Sequence, residues 1–395
     1  MSAYYCGEEK VEAAMGTRVT VQPALLAWAL ARCRKPATDL PEQFKNYPKW
    51  LSGEISPTFK QLEKFAEYTH TPLGLFFLDE PPREIVPIPD FRTQQNKPLG
   101  QPSVDLLDTI YGCQNRQEWY REYAFVQGFE PLALVGSLSI RTPVTIAAGA
   151  IQEALKWGVQ ERNRCRTRED VRRYLIAAIE DMGILVMVNG IVGNNTHRPL
   201  NPMEFRGLSL ADDMAPLIFV NAADSMSAQI FTLVHELAHI WCGDSALSDA
   251  DLSMREGQDK EIWANKVAAE VLVPGEELKL RASVGGLFDS ASLSELYKVS
   301  ELVILSSAFD AGLLDWEEYQ QLYSDSQTRN AQFAKREPTK GGNYYNTQPY
   351  RISRRFARAV ITDTREGRTL YRDAYALLGM TNHQTFENLA ERVMV

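Results

Sequence analysis

The chain has 395 residues and a mass of 44.6 kDa, a length that favours two or three domains over one compact core. Apolar residues make up 45% of the sequence and charged residues 24%, which excludes collagen-like, mainly disordered and simple coiled-coil proteins. The 42 basic and 51 acidic residues give a formal net charge of −9, so any contact with nucleic acid has to come from a local patch.

A short N-terminal extension, residues 1–20, is expected to precede a compact helical unit at residues 21–80. Within residues 23–34, apolar side chains fall on one stripe of a predicted helix, and Ser56-Pro57-Thr58 is a typical start for a later one. Several short helices in about 60 residues match the size of a helix-turn-helix domain.

The second half of this unit resembles the XRE type of helix-turn-helix domain. The matching positions are Trp50, Gly53, Glu54, Pro57, Leu62 and Phe65. That resemblance implies contact with DNA, whereas residues 1–93 hold eleven basic and twelve acidic residues, and Pro48 lies where a recognition helix should begin. Two interpretations of residues 21–80 therefore stay open: a DNA-binding domain, and a helical module that binds or packs against protein.

The composition and the predicted secondary structure change twice in the middle of the chain. Residues 81–103 are rich in proline and polar residues, as expected of an extended linker, and residues 104–164 are a predicted helical connecting region. Residues 165–285 then continue with a helix and three strand-like segments, GILVMVNGIVG, FRGLSLADD and APLIFVN. The last strand is either a free sheet edge that takes an extended substrate or an ordinary core strand.

The helix predicted after these strands carries the main chemical motif of the sequence. It starts near Ser225, either Asp224 or Ser225 can cap its first turn, and Gly243 suits its end. His235 and His239 are four residues apart, so both imidazoles lie on one face and can reach one ion, and Glu236 lies close enough to act on a water molecule there. The alternative is a chance pattern of core histidines, which we disfavour because buried charges without partners are costly.

A hydrolytic zinc site usually has three protein ligands and one open position, so the motif needs a third ligand. The helical pattern DKEIWANKVAAEVLVP places Glu261 and Asn265 one turn apart on one face, and Glu261 is the predicted ligand. Asn265 is predicted to hold a ligating imidazole or the strand backbone in place without binding the metal itself. The alternative is that Asn265 is an ordinary helix amide without such a role. The acidic alternatives are Asp244, Asp249, Asp251, Glu256 and Glu270.

The two helical motifs, VHELAHIWCG and EIWANKVAAEVLVP, together resemble the ImmA/IrrE family of zinc metallo-endopeptidases, whose pattern is H-E-x-x-H followed by E-x-x-A-N-x-F-A-x-x-L-L-x-P. The resemblance implies that His235, His239 and Glu261 bind Zn²⁺ and that Glu236 is the general acid and base. Val267 stands where the family usually has Phe. Long members of the family also carry an XRE-like N-terminus and a linker resembling PIPDFRT, so the resemblance extends over most of the chain.

The resemblance also implies a fold class, a mostly helical α+β chain. Its expected parts are the N-terminal XRE-like helical domain, a zincin-like core with a small three-stranded sheet and the HExxH helix, and a C-terminal helical region at residues 286–395. Residues 335–395 hold eleven basic and six acidic residues, and this basic tail either contacts DNA or an acidic partner or is a solvated helix. Its clustered arginines and tyrosines are Arg351, Arg354, Arg355, Arg358, Tyr344, Tyr345 and Tyr350.

The function implied by the resemblance is zinc-dependent hydrolysis of a peptide bond in a protein partner. The partner would be a helix-turn-helix repressor or a related regulator in a mobile-element, stress or toxin–antitoxin setting. The alternative is an antitoxin-like regulator that neutralises a neighbouring PIN-like toxin and whose zinc site is structural or gated. The residue that stabilises the oxyanion stays open among Tyr297, His197 and His383.

Cysteine usage and hydropathy favour a cytoplasmic protein without a membrane partner. No apolar stretch approaches the roughly 20 residues that span a bilayer, and the first residues lack the pattern of a secretory signal. The cysteines are widely spaced with no C-x-x-C pair, which argues against a disulfide framework and against a Cys-based zinc site. They are Cys6, Cys33, Cys113, Cys165 and Cys242.

Overall fold

The computed structural model describes residues 17–33, 38, 40–90, 93–94, 97–98, 102–248, 259–285, 288–334 and 350–394. Within them the chain forms two compact units: residues 17–87 with residues 102–108, and the described part of residues 88–98 with residues 109–394. No described helix is both long and apolar enough to cross a membrane. The four described cysteines are free, and Cys6 lies outside the described residues.

Short helices make up the first unit. They are α1 (Pro23–Arg32), α2 (Tyr47–Leu51) and α3 (Phe59–Thr69), with 3₁₀ turns at Glu42–Phe44 and Leu73–Phe77. The predicted start of α3 is correct: Thr58 accepts a hydrogen bond from the Gln61 backbone, and the Gln61 side chain accepts one from the Thr58 backbone. Pro48 lies in the first turn of α2, where a missing backbone donor is tolerated.

Aromatic rings fill the core of the first unit. The ring of Phe65 lies 5.5–6.1 Å, between centroids, from the rings of Phe44, Tyr47, Trp50 and Phe76. All five side chains are buried, and Leu25 and Leu26 of α1 pack against them. Aromatic packing of this kind stabilises a small helical unit, whereas the XRE identity of the unit stays a prediction.

The second unit is mostly helical, which confirms the predicted fold class. Before its sheet lie α4 (Val104–Val126), which begins in the first unit, α5 (Val144–Leu155), α6 (Val159–Arg164) and α7 (Arg168–Asp181). The metal-motif helices are α8 (Met226–Cys242) and α9 (Asp259–Leu272). The remaining helices are α10 (Gly275–Gly285), α11 (Ser290–Tyr297), α12 (Glu301–Asp310), α13 (Trp316–Ala334), α14 (Arg354–Arg365), α15 (Tyr371–Leu378) and α16 (His383–Val393).

Six strands are described in the second unit. A two-residue antiparallel pair, β1 (Thr93–Gln94) and β2 (Lys97–Pro98), precedes the main sheet. The main sheet has the order β3-β5-β4-β6, with β3 and β5 parallel and the other pairs antiparallel. Its strands are β3 (Leu185–Asn189), β4 (Gly207–Leu210), β5 (Leu217–Asn221) and β6 (Ala246–Ser248).

The sheet departs from prediction in two ways. It has a fourth strand, β6, and this strand lies at an edge next to β4. The hypothesis that APLIFVN offers a free edge is wrong, because β5 is hydrogen-bonded to β3 on one side and to β4 on the other. On the outer side of β6, the Leu247 backbone amide donates to the Pro89 carbonyl at 2.9 Å.

Candidate metal centre

Helix α8 is fixed at both ends by the residues that the sequence predicted. The side chain of Ser225 accepts a hydrogen bond from the Ala228 amide at 3.3 Å, and Gly243 ends the helix in the left-handed conformation at φ 70°. Nearly the whole length of α8 is buried. Its two histidines therefore lie inside the core of the second unit, where only specific partners can stabilise them.

Helix α9 brings the third acidic group to the histidines. Glu261 lies in the first turn of α9, where a carboxylate is favoured by the helix dipole. The helix is anchored beside α5 and α8: the Trp263 indole donates to the Thr142 carbonyl at 2.9 Å, and Gln152 of α5 donates to the Val271 carbonyl at 3.0 Å. These hydrogen bonds fix α9 beside α5, and its packing against α8 brings Glu261 to the histidines.

The side chains of His235, His239 and Glu261 converge on one point. The two Nε2 atoms are 3.1 Å apart. Oxygen Oε2 of Glu261 lies 3.2 Å from Nε2 of His235, and Oε1 lies 3.0 Å from Nε2 of His239. The three side chains are at most 2% exposed. The predicted ligand set is thus brought together in space.

The donor set fits a zinc ion. Ligand atoms about 2.0–2.1 Å from a tetrahedral zinc lie about 3.3 Å from one another, close to the three separations observed. Among the described residues, neither oxygen of Glu261 forms an aligned hydrogen bond, although both lie near imidazole nitrogens. Two imidazoles and a carboxylate that offer lone pairs to the same small volume could hold a divalent cation.

The charge on Glu261 is stabilised by its neighbours. Burial works to raise the pKa of this carboxyl group, but the imidazoles of His235 and His239 outweigh burial and lower the pKa to about 2. Glu261 is therefore ionised at neutral pH, the state in which a carboxylate binds metal.

Glu236 lies fully buried between α8 and the sheet. Its pKa is raised to about 8, chiefly because burial penalises the charged form; the charge of Glu261 adds to this shift, whereas His235 lowers the pKa. The hydroxyls of Ser248 and Ser209 also lower it, although no aligned hydrogen bond to Glu236 forms among the described residues. A carboxyl group with a pKa near neutrality is suited to accept and return a proton.

The acidic alternatives to Glu261 have other partners or lie outside the described residues. Asp244 accepts from the Lys260 ammonium at 2.6 Å. Glu270 accepts from the Gly275 amide at 3.1 Å, at the start of α10. Residues Asp249, Asp251 and Glu256 lie outside the described residues. Asn265 is buried on α9, one turn after Glu261, and its predicted orienting role stays a prediction.

Two of the three oxyanion candidates, Tyr297 and His383, have described side-chain contacts. The Tyr297 ring lies 5.8 Å from the guanidinium of Arg162 and 6.0 Å from that of Arg281. His383 contacts Tyr375 in the C-terminal helices, and His197 lies in an exposed turn. The oxyanion stabiliser therefore stays unassigned.

The four clustered arginines that the sequence singled out in the basic tail donate hydrogen bonds within the protein. Arg355 donates to the Tyr120 hydroxyl at 2.7 Å, and the remaining three donate to Asn194 and to carbonyl groups near the end of α16. These contacts involve Arg351, Arg354 and Arg358. Tyr344 and Tyr345 lie outside the described residues.

Sequence analysis missed the residues that surround Glu236 on the sheet side. They are Gly207 and Ser209 of β4 and Ser248 of β6, and Thr232 of α8 lies beside Gly207. One signal was available: in Gly207-Leu208-Ser209-Leu210, small residues alternate with leucines, as expected of a strand with two different faces.

Comparison with known protein families matches two parts of the chain. Residues 352–392 match a domain of unknown function, DUF8813, and residues 179–307 match the Peptidase M78 family model, described as an IrrE N-terminal-like domain. A search of curated proteins found no match. The segment similar to the M78 family model includes His235, Glu236, His239 and Glu261, which supports the resemblance to the ImmA/IrrE family.

Proposed function

We propose that this protein is a zinc-dependent endopeptidase of the ImmA/IrrE type that hydrolyses a peptide bond in a cytoplasmic protein partner. The proposed partner is a helix-turn-helix repressor or a related regulator in a mobile-element, stress or toxin–antitoxin setting. The observation that carries the proposal is the convergence of two imidazole nitrogens and a carboxylate within 3.0–3.2 Å, inside a segment similar to M78 peptidases.

In this proposal His235, His239 and Glu261 hold the zinc ion. A zinc ion held there would lower the pKa of a water molecule towards about 7 and would polarise a substrate carbonyl. Glu236 takes a proton from the attacking water and delivers it to the leaving amine. Glu236 suits this role by its place, because its buried carboxyl group follows His235 directly on α8.

A second function is favoured by the burial of the site. His235, Glu236, His239 and Glu261 are each at most 2% exposed, so a peptide reaches them only after the surrounding structure opens. A closed centre is what the alternative function requires, an antitoxin-like regulator whose zinc is structural or gated. In this second function, the regulator would bind DNA through residues 21–80 or through the basic tail. Its protein partner would be a PIN-like toxin.

The two functions are separated by cleavage assays on zinc-loaded protein of full length. We expect wild-type protein to produce new peptide termini in a proteome-derived peptide library, read by mass spectrometry. The Glu236→Gln variant should keep its zinc and produce none, because all three metal ligands remain while the proton carrier is lost. Wild-type protein that yields no Glu236-dependent termini, yet binds the product of a neighbouring gene tightly, would support the regulator instead.

A further inference from the structure

The face of the sheet that meets α8 is divided into two chemically different halves. On β3 and β5 this face presents Val186, Val188, Ile218 and Val220, which belong to the same apolar core as α8. On β4 and β6 it presents small and polar residues. These are Gly207, Ser209, Ala246 and Ser248.

The register of the strands places the small residues together. Gly207 lies directly opposite Ser248 across the β4–β6 pair, and Ser209 lies two residues from Gly207 on the same face. The opposite face of the same strands is leucine, at Leu208 and Leu247. The polar character is therefore confined to the side that faces α8, and it is not a general property of these strands.

Glu236 is the group that this polar patch meets. A Cβ atom added to Gly207 would lie 2.6 Å from Oε1 of Glu236 and 2.5 Å from the methyl group of Thr232. Only a residue without a side chain leaves room for the carboxyl group there. Gly207 does not adopt a positive φ, so its backbone conformation gives no other reason for a glycine.

In the described part of the chain, buried polar atoms of Glu236 and Ser248 lack hydrogen-bond partners between α8 and the β4–β6 side of the sheet. Among the described residues, both carboxyl oxygens of Glu236 and the hydroxyl of Ser248 form no aligned hydrogen bond, and all of these atoms are buried. Among the described residues, the hydroxyl of Ser209 forms one long hydrogen bond, to the Asp244 carbonyl at 3.5 Å. Such groups are costly in a protein core unless they serve one another.

We propose that Ser209 and Ser248 are positioning residues that donate hydrogen bonds to the carboxyl group of Glu236, and that Gly207 provides the space in which it lies. A carboxyl group held from the sheet side keeps a fixed position relative to His235, His239 and Glu261. The consequence for catalysis rests on the proposed function, but the contact itself does not.

A thermal-unfolding cycle on the zinc-loaded, full-length protein tests the contact. The double variant Ser209→Ala, Ser248→Ala should lower Tm by about 5 °C when Glu236 is present. In a Glu236→Ala background the hydroxyls have lost their acceptor, so the same two changes should lower Tm by less than half as much. Equal losses of Tm in the two backgrounds would overturn the proposal.

Ser307 provides a matched control. Its hydroxyl is also buried and forms no hydrogen bond among the described residues, but it lies on α12. Ser307→Ala should change Tm equally in both backgrounds. Zinc content measured by mass spectrometry should stay stoichiometric in every variant of the cycle, because the three ligands are intact.

Gly207→Ala tests the space separately from the hydrogen bonds. Its new methyl group must displace Glu236 or Thr232, so its loss of Tm should shrink when Glu236 is also replaced by Ala. An equal loss of Tm in both backgrounds would contradict the role of Gly207.

Kinetics on a peptide identified in the library assay tests the catalytic consequence. Ser209→Ala, Ser248→Ala should lower kcat at least about tenfold and leave KM within about twofold, because the substrate contacts are retained. A raised KM with unchanged kcat would contradict positioning. If the Tm losses depend on Glu236 but no peptide is cleaved, the proposed function is refuted and the contact is established. If peptides are cleaved but the Tm losses do not depend on Glu236, the contact is refuted and the proposed function stands.

Discussion

Two carboxyl groups buried in the second unit, those of Glu180 and Glu261, have opposite surroundings. Glu180 accepts hydrogen bonds from the Ser353 hydroxyl and from the Arg355 amide at 3.3 Å. Glu261 instead meets two imidazole nitrogens at 3.0 and 3.2 Å without an aligned hydrogen bond among the described residues. The oxygens of Glu180 are thus engaged by donors of the fold, whereas those of Glu261 meet two imidazole nitrogens in a group that could hold a cation.

The largest effect is expected from replacing the two histidines of α8. A His235→Ala, His239→Ala variant should lose its zinc completely, since one carboxylate cannot hold the ion alone. If zinc is present at about 1,000 times its Kd, the wild type should unfold about 10 °C above this variant. Metal analysis and thermal unfolding with and without a chelator measure both quantities.

The chelator is also the control for this comparison. It should lower the Tm of the wild type and leave that of the double variant unchanged, because the variant has no site to empty. A double variant that keeps one equivalent of zinc would show that the ion is bound elsewhere.

The next effect separates the two carboxyl groups directly. Glu261→Gln should weaken zinc binding by at least about 100-fold, because a neutral amide replaces an anionic ligand. Glu180→Gln should leave zinc affinity within about twofold, because its partners are Ser353 and Arg355. Competition with a fluorescent zinc chelator measures both affinities. Equal losses in the two variants would show that the contrast between the sites is wrong.

A smaller effect is expected from the titration of Glu180. Burial raises its pKa above the ordinary value of 4.5, although Ser353 and the amides of Arg354 and Arg355 oppose this shift. A raised pKa in the folded state stabilises the protein below pH 4.5, and this contribution is lost as pH rises through the raised value. The free energy of unfolding of the wild type relative to Glu180→Gln should therefore fall as the pH rises above 4.5.

Urea unfolding of the metal-free forms of both proteins measures this difference without a contribution from zinc. A difference that rises with pH would mean that the donors around Glu180 dominate over burial, and that its pKa lies below 4.5.

The sequence predicted what depends on local spacing. His235 and His239 share a helix face because they are four residues apart, and the pattern of α9 indicated Glu261. Strand β6 was missed because it has three residues and none is β-branched. The contact of Ser353 with Glu180 joins positions 173 residues apart, and no local pattern reports such a pair.

The smallest effect is expected at Asp244. Among the acidic alternatives to Glu261 that the structure describes, it is the nearest to His239 in sequence. It pairs with Lys260 at the start of α9, and both side chains are partly exposed, so solvent screens the pair and it contributes at most about 1 kcal/mol. Asp244→Asn should keep one equivalent of zinc and change Tm by less than about 2 °C. Because the Asp244 carbonyl also accepts from Ser209, the backbone contact survives in this variant. A loss of zinc in Asp244→Asn would make Asp244 a ligand and Glu261 a neighbour, which would reverse the assignment of the third ligand.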